Sequence, residues 1–387
     1  MPRLALAEGR DPRLLVIVLR GALDGLATVS PPSDPDWLRL RGDQALTLQS
    51  GGLPLDDFFV LNPAMPNLHR LYRASQAIIV HAVATPYRER SHFDGQDVLE
   101  SGLSRVGAVD SGWLNRALHS LRPEGRVDAK KAFAVGPITP LVARGPAQIL
   151  SWTPPRLQPA SPDTIGRLLE LYRHTDPVLA AALEERNGLA AIAKAGGISM
   201  TPEKSGPRPA GPAAAIRAYF AEAAGGAAKF MARPDGPRVG ALAFEGWDTH
   251  ANEGAADGRL AQLLGALDGA IAAIESGMGQ AWQQTAVAIV TEFGRTARIN
   301  GTAGTDHGTA TVALLAGGAL KGGRVIADWP GVSDKSLHEG RDLRPTTDLR
   351  AVLKGLLRDH IRVDEAALNT LVFPGSETVK PLSGLLG

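Results

Sequence analysis

The segment 291–308 carries three side chains that can bind a metal ion or exchange a proton. It reads TEFGRTARINGTAGTDHG, with Glu292 near its start and Asp306 and His307 near its end. The apolar run 285–290 precedes it and predicts a buried strand. Glu292 therefore follows the end of a strand, and the segment predicts that carboxylate and imidazole groups meet at one edge of a sheet.

Similar side chains follow three other apolar runs that predict strands. Each run is rich in Val, Ile, Leu and Ala, as expected of a strand that is buried on both faces of a parallel sheet. The candidates are Asp24 after 14–19, Ser91 and His92 after 77–83, and Asp248 and His250 after 239–244.

The candidates are all oxygen or nitrogen donors. Ligands of open α/β sheets bind beyond the carboxyl ends of the strands, so these groups are expected to converge. The chain contains no cysteine, which excludes disulfides, thiolate chemistry and zinc–sulfur sites. The pattern predicts one or two divalent metal ions, with zinc, manganese, calcium and iron all open.

Each candidate also has a purely structural interpretation. Asp24 precedes Gly25 and is compatible with a turn. Asp248 and Ser91 can each cap the start of a helix, and Asp306 can cap a helix or stabilise a turn. His81 lies inside an apolar run, which favours a hydrogen-bonded histidine of the core over a metal ligand.

The elements around these residues predict an α/β fold. Apolar residues recur at three- and four-residue steps over 260–274 and 349–357, which is typical of one face of a helix. A weaker fifth strand is predicted at 311–315. Strands that alternate with amphipathic helices indicate a mainly parallel sheet sandwiched between helices.

The middle of the chain has a different pattern. Helical periodicity dominates from about residue 105 to residue 235, with proline-rich joints and a predicted mobile loop near 196–212. We therefore expect 1–104 and 236–387 to form the α/β core, and 105–235 to form an inserted, mainly helical cap subdomain.

Charge and hydropathy limit the classes of partner. The chain has 387 residues, with 41 basic and 40 acidic side chains and a net charge of +1. This balance does not favour binding to nucleic acid or to an anionic membrane surface. No apolar run approaches the roughly 20 residues that cross a bilayer, and residues 1–10 lack the apolar segment of a signal peptide.

Four motifs in order resemble those of a known superfamily. They read LRGALDGL, RSHFDGQD, WDTHANE, and TEFGRT with GTDHG. This order is similar to that of the alkaline phosphatase superfamily, which includes sulfatases, phosphopentomutases and cofactor-independent phosphoglycerate mutases. More narrowly, the motifs resemble a large bacterial family named domain of unknown function 1501 and described as sulfatase-like. The resemblance covers nearly the whole chain.

The resemblance implies a role for each candidate. Asp24 would bind one metal ion, and Ser91 would be the nucleophile at that ion. Asp248 and His250 would bind a second metal ion. Arg295 would face the anionic group of the substrate, because a guanidinium suits phosphate and sulfate oxygens.

The last motif admits two registers. In the first, Asp306 and His307 form the Asp-His pair of the superfamily. In the second, Glu292 takes the acidic position at the end of the strand and His307 is the later histidine. We favour the second, because Glu292 directly follows a strong strand pattern. Phe293 then stands where a histidine is expected, so that one metal site lacks an imidazole unless His92 or Asp306 replaces it.

These patterns lead to two functional hypotheses. The first is a metal-dependent hydrolase of phosphate or sulfate esters, acting on an anionic small molecule or envelope component. The second is a non-catalytic or metal-binding relative that acts as a binding or assembly protein in the cell envelope. Members of the family often carry a twin-arginine export signal, which implies a periplasmic or exported protein. Neither the substrate nor the oligomeric state follows from the sequence.

Overall fold

The computed structural model describes residues 10–121, 132–136, 139–152, 162–181, 183–184 and 211–387. The strands are β1 (Arg13–Arg20), β2 (Val29–Ser30), β3 (Leu53–Pro54), β4 (Val60–Leu61), β5 (Ala77–Ala84), β6 (Ala132–Val135), β7 (Ile149–Trp152), β8 (Val239–Glu245), β9 (Thr285–Thr291), β10 (Thr311–Ala316), β11 (Arg324–Ile326) and β12 (Thr347–Asp348).

Helices of different lengths connect these strands. The α-helices are Gly25–Thr28, Trp37–Arg41, Pro66–Arg73, His92–Ser101, Trp113–Ser120, Pro162–Thr175, Pro212–Ala232, Arg259–Met278, Leu349–Leu356 and Glu365–Ala367. Tighter 3-10 turns occupy Gly42–Gln44, Leu141–Ala143 and Gly279–Gln284, and wider π turns occupy Leu357–Ile361 and Leu368–Val372. Within the described ranges, no helix is both long enough and apolar enough to cross a membrane.

A large mixed sheet forms the centre of the molecule. Its strand order is β11-β5-β10-β9-β1-β8-β6-β7, and β12 also pairs with β5. Among these described strands only β10 runs antiparallel to its neighbours, which are β5 and β9. A separate small antiparallel sheet has the order β2-β4-β3. The predicted mainly parallel sheet with helices on both faces is confirmed.

The central strand β1 shows why the fold forms. Every residue of β1 except Arg20 is buried, and successive side chains point to opposite faces of the sheet. Leu15, Ile17 and Leu19 contribute to one core with helices 66–73, 212–232 and 259–278. Leu14, Val16 and Val18 contribute to a second core with helices 113–120 and 349–356.

Several described elements from the expected cap 105–235 pack with the central sheet. Strand β6 pairs with β8 and with β7, so both extend the central sheet. Trp113 and Leu114 pack in the core of that sheet, which also places helix 113–120 in the α/β unit. These elements fall inside the expected cap 105–235 because short runs such as 132–135 resemble helical patterns. Helix 212–232 also lies inside the expected cap and packs in the first core, whereas most of the loop near 196–212 lies outside the described residues.

The antiparallel strand β10 determines where the 292–310 loop lies. Strands β1, β8 and β9 are parallel, so their carboxyl ends share one edge of the sheet. Because β10 runs in the opposite direction, its amino end lies at this same edge. The loop therefore begins and ends at the edge where ligands of α/β sheets bind.

Candidate metal centre

Donor atoms of three residues converge at this edge of the sheet. The ligand atoms of His92, Asp248 and His307 all lie within 4.8 Å of one another. His250 joins them, since its Nε2 atom lies 3.0 Å from Nε2 of His307 and 3.1 Å from Oδ1 of Asp248. We call these residues the His3Asp cluster.

His92 enters the cluster from the first position of helix 92–101, where Glu292 fixes its ring. Its Nδ1 atom lies 2.9 Å from Oε1 of Glu292, which also accepts hydrogen bonds from Gly21 N and Gln96 Nε2. A carboxylate can only accept, so Nδ1 of His92 donates. Its Nε2 atom is buried without a hydrogen-bond partner and faces Oδ2 of Asp248 at 3.4 Å. This geometry directs the Nε2 atom of His92 into the cluster, where it can act as a metal ligand.

The electrostatics keep Glu292 charged. Burial opposes its ionisation, but the hydrogen bonds from His92 and from Gly21 N outweigh burial and lower the pKa of Glu292. In return, the Glu292 hydrogen bond raises the pKa of His92, against the opposing effect of burial. Glu292 is thus a buried anion that orients His92, and its oxygens accept hydrogen bonds from other groups of the protein.

The rings of His307 and His250 are likewise oriented by an oxygen acceptor at Nδ1. Nδ1 of His307 donates to the carbonyl oxygen of Arg90 at 2.8 Å, and Nδ1 of His250 faces Oδ1 of Asp306 at 3.2 Å. Burial, with the nearby His92 and Arg295 charges, lowers the pKa of His307 and favours the neutral ring. With its proton on Nδ1, the neutral His307 ring therefore presents an unprotonated Nε2 atom to His250.

Arg295 lies beneath Asp248 and its side chain is fully buried. Its Nη1 atom donates to Oδ1 of Asp248 at 2.5 Å, while Nε donates to Oγ1 of Thr305 at 3.1 Å. Burial raises the pKa of Asp248, but the Arg295 guanidinium outweighs it, so the pKa lies below the usual range. We expected Arg295 to face a substrate anion, but the structure directs it inward, where it positions Asp248.

Phe293 forms the apolar wall of the cluster. Its ring is stacked on His92 with centroids 5.1 Å apart and contacts His307 at 5.4 Å. The rings of His92 and His307 meet edge to face at 4.2 Å. Phe293, which stands where a histidine was expected, therefore supports the imidazole ring of His92.

Close backbone packing at the cluster requires glycine at two positions. Gly21 has φ +120°, and a Cβ atom there would lie 2.6 Å from the backbone nitrogen of Asp248. A Cβ atom on Gly304 would lie 2.3 Å from the carbonyl of His250. Larger residues would push the end of β1 and the 292–310 loop away from the residues that hold the cluster.

Asp24 lies in a different set of interactions. It is almost fully buried, caps helix 25–28 through Ala27 N, and forms a bidentate ion pair with Arg41 at 2.7 and 3.0 Å. Burial together with the Asp24 charge raises the pKa of the neighbouring Glu253 to about 8. A guanidinium thus neutralises Asp24, and the structure does not bring Asp24 into the convergent group of ligand atoms.

Ser91 occupies the N-cap position of helix 92–101, directly before His92. Its backbone nitrogen bonds to the Tyr87 hydroxyl at 3.1 Å, while its side chain makes no capping hydrogen bond. The hydroxyl is therefore adjacent in sequence to a member of the cluster and is not used to close the helix.

The structure brings together Asp248, His250 and His307 among the residues expected from sequence. Glu292 and Asp306 lie one step away, where they orient histidines. His92, which the sequence suggested only as a substitute for the missing imidazole, supplies the third ring of the cluster. Its place directly after Ser91, in the segment that follows the apolar run 77–83, was the available signal.

The comparisons with known proteins give one family and several distant structures. None of the curated proteins compared with the chain matches it. Solved structures that match include Ps i-CgsB in complex with k-i-k-neocarrahexaose, at 12% identity and TM-score 0.39, over 82% of this chain and 68% of that one. The C-terminal periplasmic domain of EcEptC from Escherichia coli, in complex with Zn, matches at 10% identity and TM-score 0.38, over 80% and 74%.

A phosphonate monoester hydrolase of Agrobacterium radiobacter matches at 12% identity and TM-score 0.37, over 89% of this chain and 73% of that one. TM-scores this low give these likenesses no weight for the site or the reaction. The family match is different, because its model spans residues 74–372 and thus most of the chain. The chain belongs to the family described as protein of unknown function (DUF1501), as the motifs of the sequence predicted.

Proposed function

We propose that the protein is a metal-dependent hydrolase of phosphate or sulfate esters, with the ion held by the His3Asp cluster. One observation carries the metal site. Nε2 of His250 and Nε2 of His307 lie 3.0 Å apart, while Nδ1 of each ring faces an oxygen acceptor. Two Nε2 atoms at this distance must share either a proton or a cation, and the proposal places a cation there.

The donor set fits a divalent ion. Tetrahedral zinc with bonds of about 2.0–2.1 Å separates its ligand atoms by roughly 3.3 Å. Four of the separations between ligand atoms of the cluster are 3.0, 3.1, 3.3 and 3.4 Å, the last of them to Oδ2 of Asp248 rather than to Oδ1. The buried, unpartnered Nε2 of His92 also needs a partner. Three imidazoles and one carboxylate suit zinc better than calcium, which prefers oxygen ligands.

The cluster is accessible to an anionic substrate. The side chains of His250 and Asp248 are 46% and 40% exposed, whereas those of His307 and His92 are 25% and 22% exposed. The exposed pair therefore forms the mouth and the other two form the floor. A bound divalent ion would supply a Lewis acid for a phosphoryl or sulfuryl oxygen.

Ser91 is the nucleophile in this proposal. Its hydroxyl is free of a capping bond and lies at the start of the ten-residue helix 92–101. Free N–H groups at the start of a helix favour anions, so an ester anion would be held beside the hydroxyl. Ser91 would attack the phosphorus or sulfur atom and release the alcohol, and water would then hydrolyse the covalent intermediate.

Metal analysis and an ester panel test the proposal. We expect purified protein to bind about one equivalent of zinc per chain and to hydrolyse aryl phosphate, aryl sulfate or aryl phosphonate esters. His307→Ala should lose both metal and turnover. His119→Ala, which changes an exposed histidine, is the matched control and should lose neither.

The outcomes separate the two hypotheses. Zinc binding with no turnover of any ester would favour the non-catalytic binding protein of the envelope. Absence of bound metal in both wild type and His307→Ala, with normal folding, would mean that a proton rather than a metal ion separates the two rings and would refute the metal centre.

A further inference from the structure

We infer that Asp342 is a positioning residue of the candidate site, acting through Arg90 on His307 and on the Ser91–His92 turn. The inference rests on the proposed function, since it concerns the residues proposed to hold the metal ion. Asp342 follows no predicted strand and belongs to no motif of the sequence, yet its side chain is fully buried.

Asp342 holds the guanidinium of Arg90. Its Oδ2 atom lies 2.9 Å from Nε and 2.8 Å from Nη2 of Arg90, and it also accepts a hydrogen bond from Thr309 Oγ1 at 2.8 Å. Glu339 contacts the outer side of the same guanidinium at 2.6 Å and is exposed. A buried carboxylate with three donors fixes its partner far more firmly than an exposed ion pair does.

The anchored residue has an unusual backbone. Arg90 has φ +62°, a conformation that a non-glycine residue adopts only when its surroundings enforce it. This conformation turns the Arg90 carbonyl oxygen to Nδ1 of His307 at 2.8 Å. The carbonyl can only accept, so it keeps the proton on Nδ1 and leaves Nε2 free for the cluster.

The segment that carries Asp342 holds His307 from a second direction. Arg341 donates from Nη2 to the carbonyl oxygen of His307 at 2.8 Å and pairs with Asp342 through Nη1 at 3.2 Å. A backbone bridge also joins Asp342 to Thr296 in the 292–310 loop. One buried carboxylate thus connects the main chain of His307, its ring and the turn that presents Ser91 and His92.

The test measures the protonated nitrogen of His307 before any metal is added. Nitrogen-15 NMR of the metal-free protein should show His307 with its proton on Nδ1. Asp342→Asn removes the charge that holds Arg90, and we expect a population with the proton on Nε2. The dissociation constant for zinc should rise about tenfold to a hundredfold, as is typical for loss of a group that orients a metal ligand.

A matched control separates positioning from general destabilisation. Asp268 is also buried and holds Asn67 and Leu68 at the start of helix 66–73. Asp268→Asn should lower stability and leave the His307 proton on Nδ1. Arg90→Ala should reproduce the effect of Asp342→Asn, and the double variant should add nothing further, because both residues act in series.

The results decide the inference independently of the proposed function. A His307 ring that keeps its proton on Nδ1 in both Asp342→Asn and Arg90→Ala would overturn it, as would a wild-type ring protonated only on Nε2. If Asp342→Asn does not fold, Arg90→Ala alone decides, since its side chain is partly exposed. Failure of wild type to bind zinc would refute the metal centre but would leave the NMR result valid.

Discussion

Nδ1 of His92 lies 2.9 Å from Oε1 of Glu292, although the two residues are 200 positions apart in the chain. The bond joins the start of helix 92–101 to the end of β9. Glu292 therefore orients His92 rather than binding the ion, since its carboxylate already accepts hydrogen bonds from Gly21 and Gln96.

Glu292→Gln should weaken metal binding without removing any residue of the His3Asp cluster. A neutral amide holds Nδ1 of His92 less strongly and can turn its NH2 group toward the ring, so the dissociation constant for zinc should rise about tenfold to a hundredfold. A competition titration with a chelator measures this change. Glu275→Gln, at a surface ion pair with Arg70, is the control. Equal affinities in all three proteins would contradict the role given to Glu292.

Asp24→Asn should destabilise the fold and leave zinc affinity unchanged. The substitution leaves Arg41 as a buried charge without its partner, which costs about 3–5 kcal/mol. Without the Asp24 charge, Glu253 ionises more readily and partly balances the charge of Arg41. The loss of stability should therefore lie near the lower end of that range. Urea unfolding measures the cost. Loss of zinc at unchanged stability would instead make Asp24 a ligand, as the resemblance first implied.

Ser91→Ala should abolish ester turnover and spare both fold and metal. Removal of a nucleophile lowers the rate by on the order of 10³-fold or more. Because the Ser91 side chain makes no capping bond, the stability cost should stay below the roughly 1 kcal/mol typical of a lost cap. Steady-state kinetics and thermal melting of Ser91→Ala measure both effects, and Ser104→Ala, at an exposed serine, is the control. Full turnover in Ser91→Ala would exclude it as the nucleophile.

Acid should destabilise the protein through two buried histidines outside the candidate site. Burial lowers the pKa of His81 and of His360 to about 4 in the folded state, against about 6.5 in an unfolded chain. The unfolded state therefore binds more protons below pH 6.5, and stability falls as the pH drops from 6.5 toward 4, by about 3 kcal/mol for each histidine.

Unfolding free energies measured at pH 7.5, 6 and 5 test this dependence. His81→Gln keeps a donor for the Val29 carbonyl, which His81 Nε2 contacts at 2.8 Å. It should flatten the pH dependence by about one proton, whereas His174→Gln, at an exposed position, should not change it. An unfolding free energy that does not vary between pH 7.5 and 5 would contradict the assignment.

The strands of the central sheet could be predicted because burial on both faces leaves a clear signal. The runs 14–19, 77–83, 239–244, 285–290 and 311–315 all correspond to strands of the structure. His81 was also predicted as a core histidine, and its ring is buried and hydrogen-bonded. Strands β6 and β7 were missed, because runs of only four residues carry too little pattern to separate them from helical segments.

The edge of the sheet that carries the site could be predicted, whereas the partner of each side chain could not. Asp24 and Glu292 both follow strands, as ligands of α/β sheets often do. What distinguishes them from Asp248 is that Arg41 engages both oxygens of Asp24 and that His92 and Gly21 occupy Glu292, whereas Arg295 contacts only Oδ1 of Asp248. Such partners come from distant segments, so neither spacing nor composition reveals them. Asp342 left no signal for the same reason.

The members of the His3Asp cluster lie on three segments that are far apart in sequence, with 59 positions between Asp248 and His307 alone. An unfolded chain therefore has no local set of ligands that can capture an ion, in contrast to zinc fingers, whose ligands are neighbours. Loop closure across such distances becomes favourable only after the sheet has formed. The order of assembly is thus sheet first and metal second, so added zinc should slow unfolding of the native protein without accelerating its refolding.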